Sequence, residues 1–494
     1  MHYGLLLLAG ASLTFAFAPF GVWPVTILAC AIAVRQLHRT EHRGFLTGWV
    51  FGLGWFGAGI SWVHVSIADY GGLPLIGSVG MMALLCAYLS LYPALAFYLT
   101  RRLFPAHLMP LALPFFWTLS EWLRSWVFSG FPWLSLGYSQ IDSPLAGWFP
   151  ILGETGISAL LVCLGAALAL AHTRAALLRA GLAIAIAYVS GWVASTYSWV
   201  TPERSISMAM VQGNIAQSLR WVPEQDGPTM EKYRTLTEPL WDNDVIIWPE
   251  AAVPKLEPLA LDYLAEIDKK AAQTNSALVT GIVNFNWEND DAWNSMIVLG
   301  KKQPDAQQGH YRYFHSNRYA KHHLLPIGEV VPFEDLLRGL APIFDLPMSS
   351  FARGDFQQPN IQANGVSMAP ALCFEIAFPR QVGANVHNDT DAIITLSNDA
   401  WFGNSHGPAQ HMEIARVRAL EFGRPVIRST NNGISGFIDH RGNVTSRLPQ
   451  FEVGSLSSPV TLTRGITPYG RFGDILIWGL TLAMLVLAWR LRRQ

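Results

Sequence analysis

Residues 367–375 read SMAPALCFE. A short run without charge, Ser367–Leu372, gives way to Cys373 and then Glu375. An apolar run of this length reads as a strand, and one apolar throughout belongs in a sheet covered on both faces. Two further runs have the same form. VIIWPE at 245–250 ends in Glu250, and AIITLSND at 392–399 ends in Asn398 and Asp399. Residues just beyond strand ends are where open α/β-type sheets place their chemistry. Around these runs, Ser205–Gln212, Ala277–Val283, Ser295–Leu299, Val426–Arg428 and Gly433–Ile438 also read as strands. Glu257–Thr274, Pro332–Ala341 and Pro408–Phe422 space apolar residues three and four apart, as helices do. Residues 201–470 are therefore expected to form a layered α+β sandwich.

The rest of the chain has a different texture. Of 494 residues 51% are hydrophobic and only 14% charged, against about a quarter charged in ordinary soluble proteins. The deficit lies in residues 1–200, which read as a membrane domain, with 471–494 as a last span and basic tail. Apolar stretches at 3–18, 22–36, 44–66, 76–100, 108–128, 150–171, 177–197 and 473–489 predict eight transmembrane helices. The stretch 3–18 has no basic segment before it, so it reads as a retained span and not a cleaved signal. Arg35, Arg39, Arg43, Arg101, Arg102, Arg174, Arg179, Arg490, Arg492 and Arg493 mark the cytoplasmic side. Seven crossings from a cytoplasmic N-terminus then place residues 201–470 outside the cytoplasm. A net charge of −1 argues against a nucleic-acid surface.

Cys30, Cys86 and Cys163 lie in apolar segments and read as packing residues. Cys373 is the one cysteine of residues 201–470, which excludes a disulfide inside that domain. A thiol near its usual pKa of about 8.5 is mostly unreactive at neutral pH, and a neighbouring base or cation makes it a nucleophile. Glu250 can take its proton, and Lys321 can offset charge on an attacked carbonyl oxygen, with the backbone N–H of Phe374 as a second donor. Glu329 or Glu375 can hold Lys321 in place. A lone cysteine at a strand end is more often structural, and a lysine in a polar loop is usually a solvated charge. Glu, Lys and Cys on successive strand ends are far more specific than any one of them.

WPE at 248–250, Lys321 within RYAKHHLLPIGE at 318–329 and LCFE at 372–375 resemble the Glu-Lys-Cys triad of the nitrilase, or carbon–nitrogen hydrolase, superfamily. VQGNIAQSLRW at 211–221, TLSNDAWFG at 395–403, RSTNNGISGFID at 428–439 and SGFPWLSLGYSQID at 129–142 extend the resemblance to the apolipoprotein N-acyltransferase family, across essentially the whole chain. The resemblance implies an extracytoplasmic nitrilase-like αββα sandwich on a multi-pass domain in the bacterial inner membrane, with no cofactor and no metal. It implies Glu250 as general base, Lys321 as oxyanion stabiliser and Cys373 as nucleophile, supported by Glu329, Glu375 and Phe374, with Trp221 near the lipid. It implies a ping-pong reaction. Cys373 takes the sn-1 acyl chain of a phospholipid, phosphatidylethanolamine by expectation, and passes it to the N-terminal amine of an S-diacylglyceryl-cysteine apolipoprotein. The family often has Tyr after the nucleophile, where this chain has Phe374.

Two other functions fit parts of the sequence. A membrane-tethered amidase of nitrilase type would use the same triad with water as acceptor. A transporter would need more ionisable residues within its spans than Asp69, Glu121, Arg124 and Glu154. Gly52, Gly54 and Gly57 match GxGxxG inside an apolar span, which favours close helix packing over dinucleotide binding. Glu121 and Arg124, three apart on a helix, read as a pair. The spacing of His406 with His411 and of His322 with His323 fits no metal motif. An apolar loop over Gly339–Arg353 is the expected lid.

Overall fold

A computed structural model describes residues 2–40, 43–70, 74–220, 222–326, 328–330 and 351–494. The expected helix at 332–341, Trp221 and all but the end of the expected lid lie outside the described residues. The chain folds as two compact units, Met1–Trp199 with Asn404–Glu413 and Thr467–Gln494, and Val200–Gly403 with Ile414–Ile466.

The first unit is helical, and helix stands on every stretch expected to be a span. Among the described residues, Leu75–Leu103, Pro144–Ala169, Arg174–Ser195 and Ile475–Arg492 are long and apolar enough to cross a membrane. The pair Gly44–Gly59 and Val63–Asp69, bent by 63°, adds a fifth candidate. Pro24–Arg39 and Met109–Arg124 have 16 residues each. At about 1.5 Å per residue they reach roughly 24 Å, short of a hydrocarbon core of about 30 Å. On Arg174–Ser195, Leu178, Leu182, Ile186 and Val189 are all exposed, an apolar stripe at helical spacing that suits lipid and not water.

The glycines of the GxGxxG segment are packing residues. A methyl group on Gly54 would run into the carbonyl of Leu7, and one on Gly52 would lie 2.8 Å from Cα of Ser90. Gly10, facing them from the helix His2–Ser12, would strike the Phe51 carbonyl in the same way. Gly57 has open space. Arg124 is buried and donates to the carbonyls of Phe131 at 2.7 Å and Trp133 at 2.6 Å, with Glu121 at 3.8 Å. Arg124 therefore fixes the loop that follows its helix as well as pairing with Glu121.

In the second unit β1 (Thr201–Gln212), β2 (Val245–Ile247), β3 (Ala277–Asn286), β4 (Asp291–Gly300), β5 (Arg318–Ala320) and β12 (Gly454–Arg464) form one sheet, in the order β12-β1-β2-β3-β4-β5. The other contains β6 (Ile361–Ala363), β7 (Val366–Leu372), β8 (Ala392–Ser397), β9 (Val426–Thr430), β10 (Gly436–Ile438) and β11 (Val444–Arg447), in the order β11-β10-β9-β8-β7-β6. Both are parallel at the centre, β1–β2–β3 and β7–β8–β9, and antiparallel outside.

Side chains alternate across a strand, so each central strand feeds two cores. Met208, Ile247, Val279 and Val298 of the first sheet meet Met368, Ile394, Leu396 and Ile427 of the second. Ala209, Ile246, Leu278 and Ile297 point the other way, onto Tyr233, Leu264 and Ile267 of the helices Pro223–Thr237 and Leu261–Gln273. Burial on both faces is why these strands read as unbroken apolar runs. It also puts the ends of β2, β7 and β8 at one edge of the sandwich.

The surroundings of the glycines make a differential prediction. Gly54→Ala is expected to lower the thermal stability of the detergent-solubilised protein by about 1–3 kcal/mol, the usual cost of overpacking, and Gly57→Ala to leave it unchanged. Equal melting temperatures for the two variants would remove the packing account.

Candidate active site

Cys373 follows β7 with a φ of 52°, in the left-handed region. A non-glycine residue there costs on the order of 1–3 kcal/mol and needs its surroundings to hold it. Glu375 does the holding. One of its oxygens accepts the N–H of Leu372 at 2.7 Å, and the other accepts the N–H groups of His322 at 2.8 Å and His323 at 2.9 Å. The Tyr319 hydroxyl donates to it at 2.9 Å and Gln381 at 2.7 Å. One fully buried carboxylate thus ties the backbone before Cys373 to the backbone after Lys321.

Lys321 follows β5, and its position is set by strand register. Ser295 pairs with Ala320, so Lys321 falls opposite Asn294, and the Lys321 N–H donates to the Asn294 carbonyl at 2.8 Å. The ammonium, only 2% exposed, lies 2.8 Å from Glu329 Oε2 and 3.6 Å from Glu250 Oε1. The Asn294 amide donates to Glu250 at 2.8 Å and to Glu329 at 2.7 Å. Glu329 also accepts the N–H of Leu325 at 2.8 Å, which closes its own turn.

Glu250 sits on the turn after β2. Gly281 of the neighbouring β3 lets that turn approach, since a Cβ there would lie 2.7 Å from Cα of Glu250. Arg220 donates to the backbone carbonyls of Glu250 at 2.8 Å and Ala251 at 3.2 Å. Ile215, Leu219, Arg220, Tyr233 and Asn431 line a cleft that opens beside Glu250. The structure therefore gathers Glu250, Lys321, Cys373, Glu329 and Glu375 into one buried cluster. The Phe374 ring packs edge-on against Phe378 at 5.0 Å.

Comparison with known proteins fits both units. Residues 9–167 match the family described as the apolipoprotein N-acyltransferase N-terminal domain, and residues 207–466 that described as carbon-nitrogen hydrolase. The apolipoprotein N-acyltransferase of Vibrio parahaemolyticus is 48% identical, over 98% of this chain and 96% of its own length. The chain belongs to the apolipoprotein N-acyltransferase family. Relatives of the same name from Shewanella oneidensis and Haemophilus influenzae are 44% and 39% identical, over 99% and 98% of this chain and 95% and 94% of their own.

The electrostatics of this acyltransferase-family site divide the labour. Burial, then the charge of Glu250, pushes the Cys373 thiol up to about 12, against a smaller downward pull from Lys321 and Ser397. At neutral pH the resting sulfur is a thiol, and it needs a base at the moment of attack. Burial alone would drive the proton off Lys321, but Glu329, Glu250 and Cys373 together outweigh it and hold the ammonium above its ordinary range. Burial also raises Glu375, although its N–H donors and Lys321 pull it part of the way back. The cluster thus holds a protonated thiol, a nearby carboxylate and a fixed cation.

Sequence reasoning passed over Asn294, Arg220 and Ser397. Asn294 had a signal, a carboxamide inside the apolar strand SMIVL and its flank, where Asn is disfavoured.

Iodoacetamide should label Cys373 of the resting protein faster with rising pH through pH 10, without the plateau that a free thiol gives above its pKa near 8.5. Lys321→Met, which removes the cation pulling the thiol down, should slow labelling at every pH; peptide mapping follows the site. Glu375→Ala strands several buried donors at about 1–3 kcal/mol each. It is expected to cost about 5 kcal/mol or more in calorimetry, and a variant as stable as the parent would contradict its role as the tie.

Proposed function

We propose that the protein moves an acyl chain from the sn-1 position of a phospholipid, phosphatidylethanolamine by preference, through a thioester on Cys373. The acceptor is the N-terminal amine of an S-diacylglyceryl-cysteine apolipoprotein. The observation that carries this reading is the Lys321 ammonium, held beside Glu250 and Glu329 within charge range of the Cys373 sulfur. The names of the relatives support the acceptor class.

In the first half-reaction the sulfur attacks the ester carbonyl while Glu250 takes the thiol proton. Negative charge gathers on the carbonyl oxygen, where Lys321 and the backbone N–H after Cys373 stabilise it. Collapse breaks the ester C–O bond, and the lysophospholipid oxygen leaves with the proton from Glu250. In the second, the acceptor amine attacks the thioester, gives a proton to Glu250 and expels the sulfur, which recovers a proton. Glu329 and Asn294 keep Lys321 and Glu250 in place throughout.

The membrane arrangement follows from the same chemistry. Both substrates carry acyl chains, and each CH₂ drawn from the bilayer costs about 0.8 kcal/mol, so the enzyme works where the lipids are. We place residues 1–200 and 471–494 in the inner membrane as eight crossings, with residues 201–470 on the periplasmic side. The basic ends of the helices Pro24–Arg39, Leu91–Leu103 and Ile475–Arg492 support this orientation.

Intact-mass analysis with phospholipid labelled separately at sn-1 and sn-2 tests the reading. One sn-1 acyl mass should appear on the protein, be released by hydroxylamine and be absent from Cys373→Ala. An adduct that survives Cys373→Ala, or none on the parent, rejects it.

A further inference from the structure

Ser397 ends β8, next to the end of β7 that carries Cys373. Its hydroxyl oxygen lies 3.5 Å from the Cys373 sulfur and 2.7 Å from Asp399 Oδ1. Asp399 Oδ2 accepts from Arg428, on the next strand β9, at 2.6 Å. Ser397, Asp399 and Arg428 are all fully buried. Three neighbouring parallel strand ends therefore carry a line from a guanidinium through a carboxylate and a hydroxyl to the sulfur.

A serine hydroxyl has one hydrogen to give and lone pairs to accept with. While the sulfur is neutral, the short contact to the Asp399 carboxylate takes that hydrogen, because a bond to a charged acceptor is roughly twice as strong as a neutral one. When the sulfur becomes anionic, it competes for the same hydrogen by rotation of one C–O bond. Arg428 keeps Asp399 paired after the hydrogen leaves. We propose that Ser397 is a positioning residue for the nucleophile, its hydroxyl resting on Asp399 beside the thiol or thioester and turning to the sulfur in the thiolate. No proton changes owner in this step; the thiol proton still goes to Glu250.

The inference rests on the reading of Cys373 as the nucleophile. The groups that face or flank that sulfur are Glu250 after β2, Lys321 after β5 with Glu329 behind it, Arg220 beside Glu250, Glu375 in the cysteine's own turn, His323 against Phe374, and Asp399 with Arg428. Ser397 is a neutral donor placed between two acceptors, the Asp399 carboxylate and the Cys373 sulfur.

The test uses the full-length protein in phospholipid nanodiscs. Ser397→Ala is expected to slow iodoacetamide labelling of Cys373 at pH 8 by at least about tenfold and to move its rise with pH to more alkaline values. It should lower kcat for acyl transfer at unchanged KM for the donor, and Ser397→Thr, which keeps a hydroxyl, should restore much of both. Labelling of Ser397→Ala at the parent's rate and pH dependence overturns the inference. If Ser397→Ala gives no folded protein, the near-isosteric pair Ser397→Thr and Ser397→Val decides, and equal labelling of the two overturns it. The acyl mass on parent Cys373 is read in parallel. Its presence keeps the nucleophile reading whatever the Ser397 variants do, and its absence removes both.

Discussion

The Lys321 ammonium, almost without water and wedged between Glu329 and Glu250, is the constraint on which the rest of the site depends. Taking an ammonium out of water costs several kcal/mol, and attraction offsets this only when geometry and hydrogen bonding are nearly complete. Completeness here needs four separate pieces of chain. β2 brings Glu250, β4 brings Asn294, β5 brings the lysine, and the turn after it brings Glu329. A shift of β5 by one residue would point Lys321 to the other face of its sheet. The register of β4 with β5 is therefore a functional quantity as much as a structural one.

Glu375 performs the complementary task for the second sheet. Lys321 belongs to the first sheet and Cys373 to the second, so their distance depends on how the sheets are joined at this edge. The apolar filling between them is non-directional and fixes a spacing but not an alignment. Hydrogen bonds from Leu372 on one side and from His322 and His323 on the other, all to one carboxylate, supply direction. The same bonds stabilise the left-handed backbone at Cys373, which aims its sulfur out of the strand line. The left-handed backbone at Cys373 and the alignment of Lys321 with it share one anchor.

What is legible in the sequence follows from how each residue comes by its place. The central strands are apolar without break because both faces are covered, and they are readable at 245–247, 277–283, 367–372 and 392–396. β11 and the first half of β12 are not, since their side chains alternate between exposed and partly covered and are largely Ser, Thr and Arg, the composition of a loop. β5 and β6 have three residues each, too few to show a period. The helix Pro223–Thr237 carries Pro228, Gly227 and little apolar periodicity, and its place comes from Tyr233 packed under the sheet. Glu250, Lys321 and Cys373 stand just past strand ends and are legible from position alone. Asn294 and Ser397 lie within or at the end of strands, where the same residue types are ordinary, and only distances distinguish them.

On the proposed reaction, acyl transfer to an amine and hydrolysis differ in what reaches the acylated sulfur, so access to Cys373 and not the identity of its neighbours would choose the acceptor. Cys373 lies in a cluster whose members are at most 9% exposed, where bulk water is scarce and fixed charges are weakly screened, and the proposed thioester would form there. An amine carried on a lipid anchor arrives with its chains still in the bilayer and with its approach confined to two dimensions. Water has neither advantage. On the proposed reaction, the burial that keeps Cys373 protonated at rest would also limit the access of water to an acylated sulfur, and an acceptor amine delivered on a lipid anchor would gain by comparison.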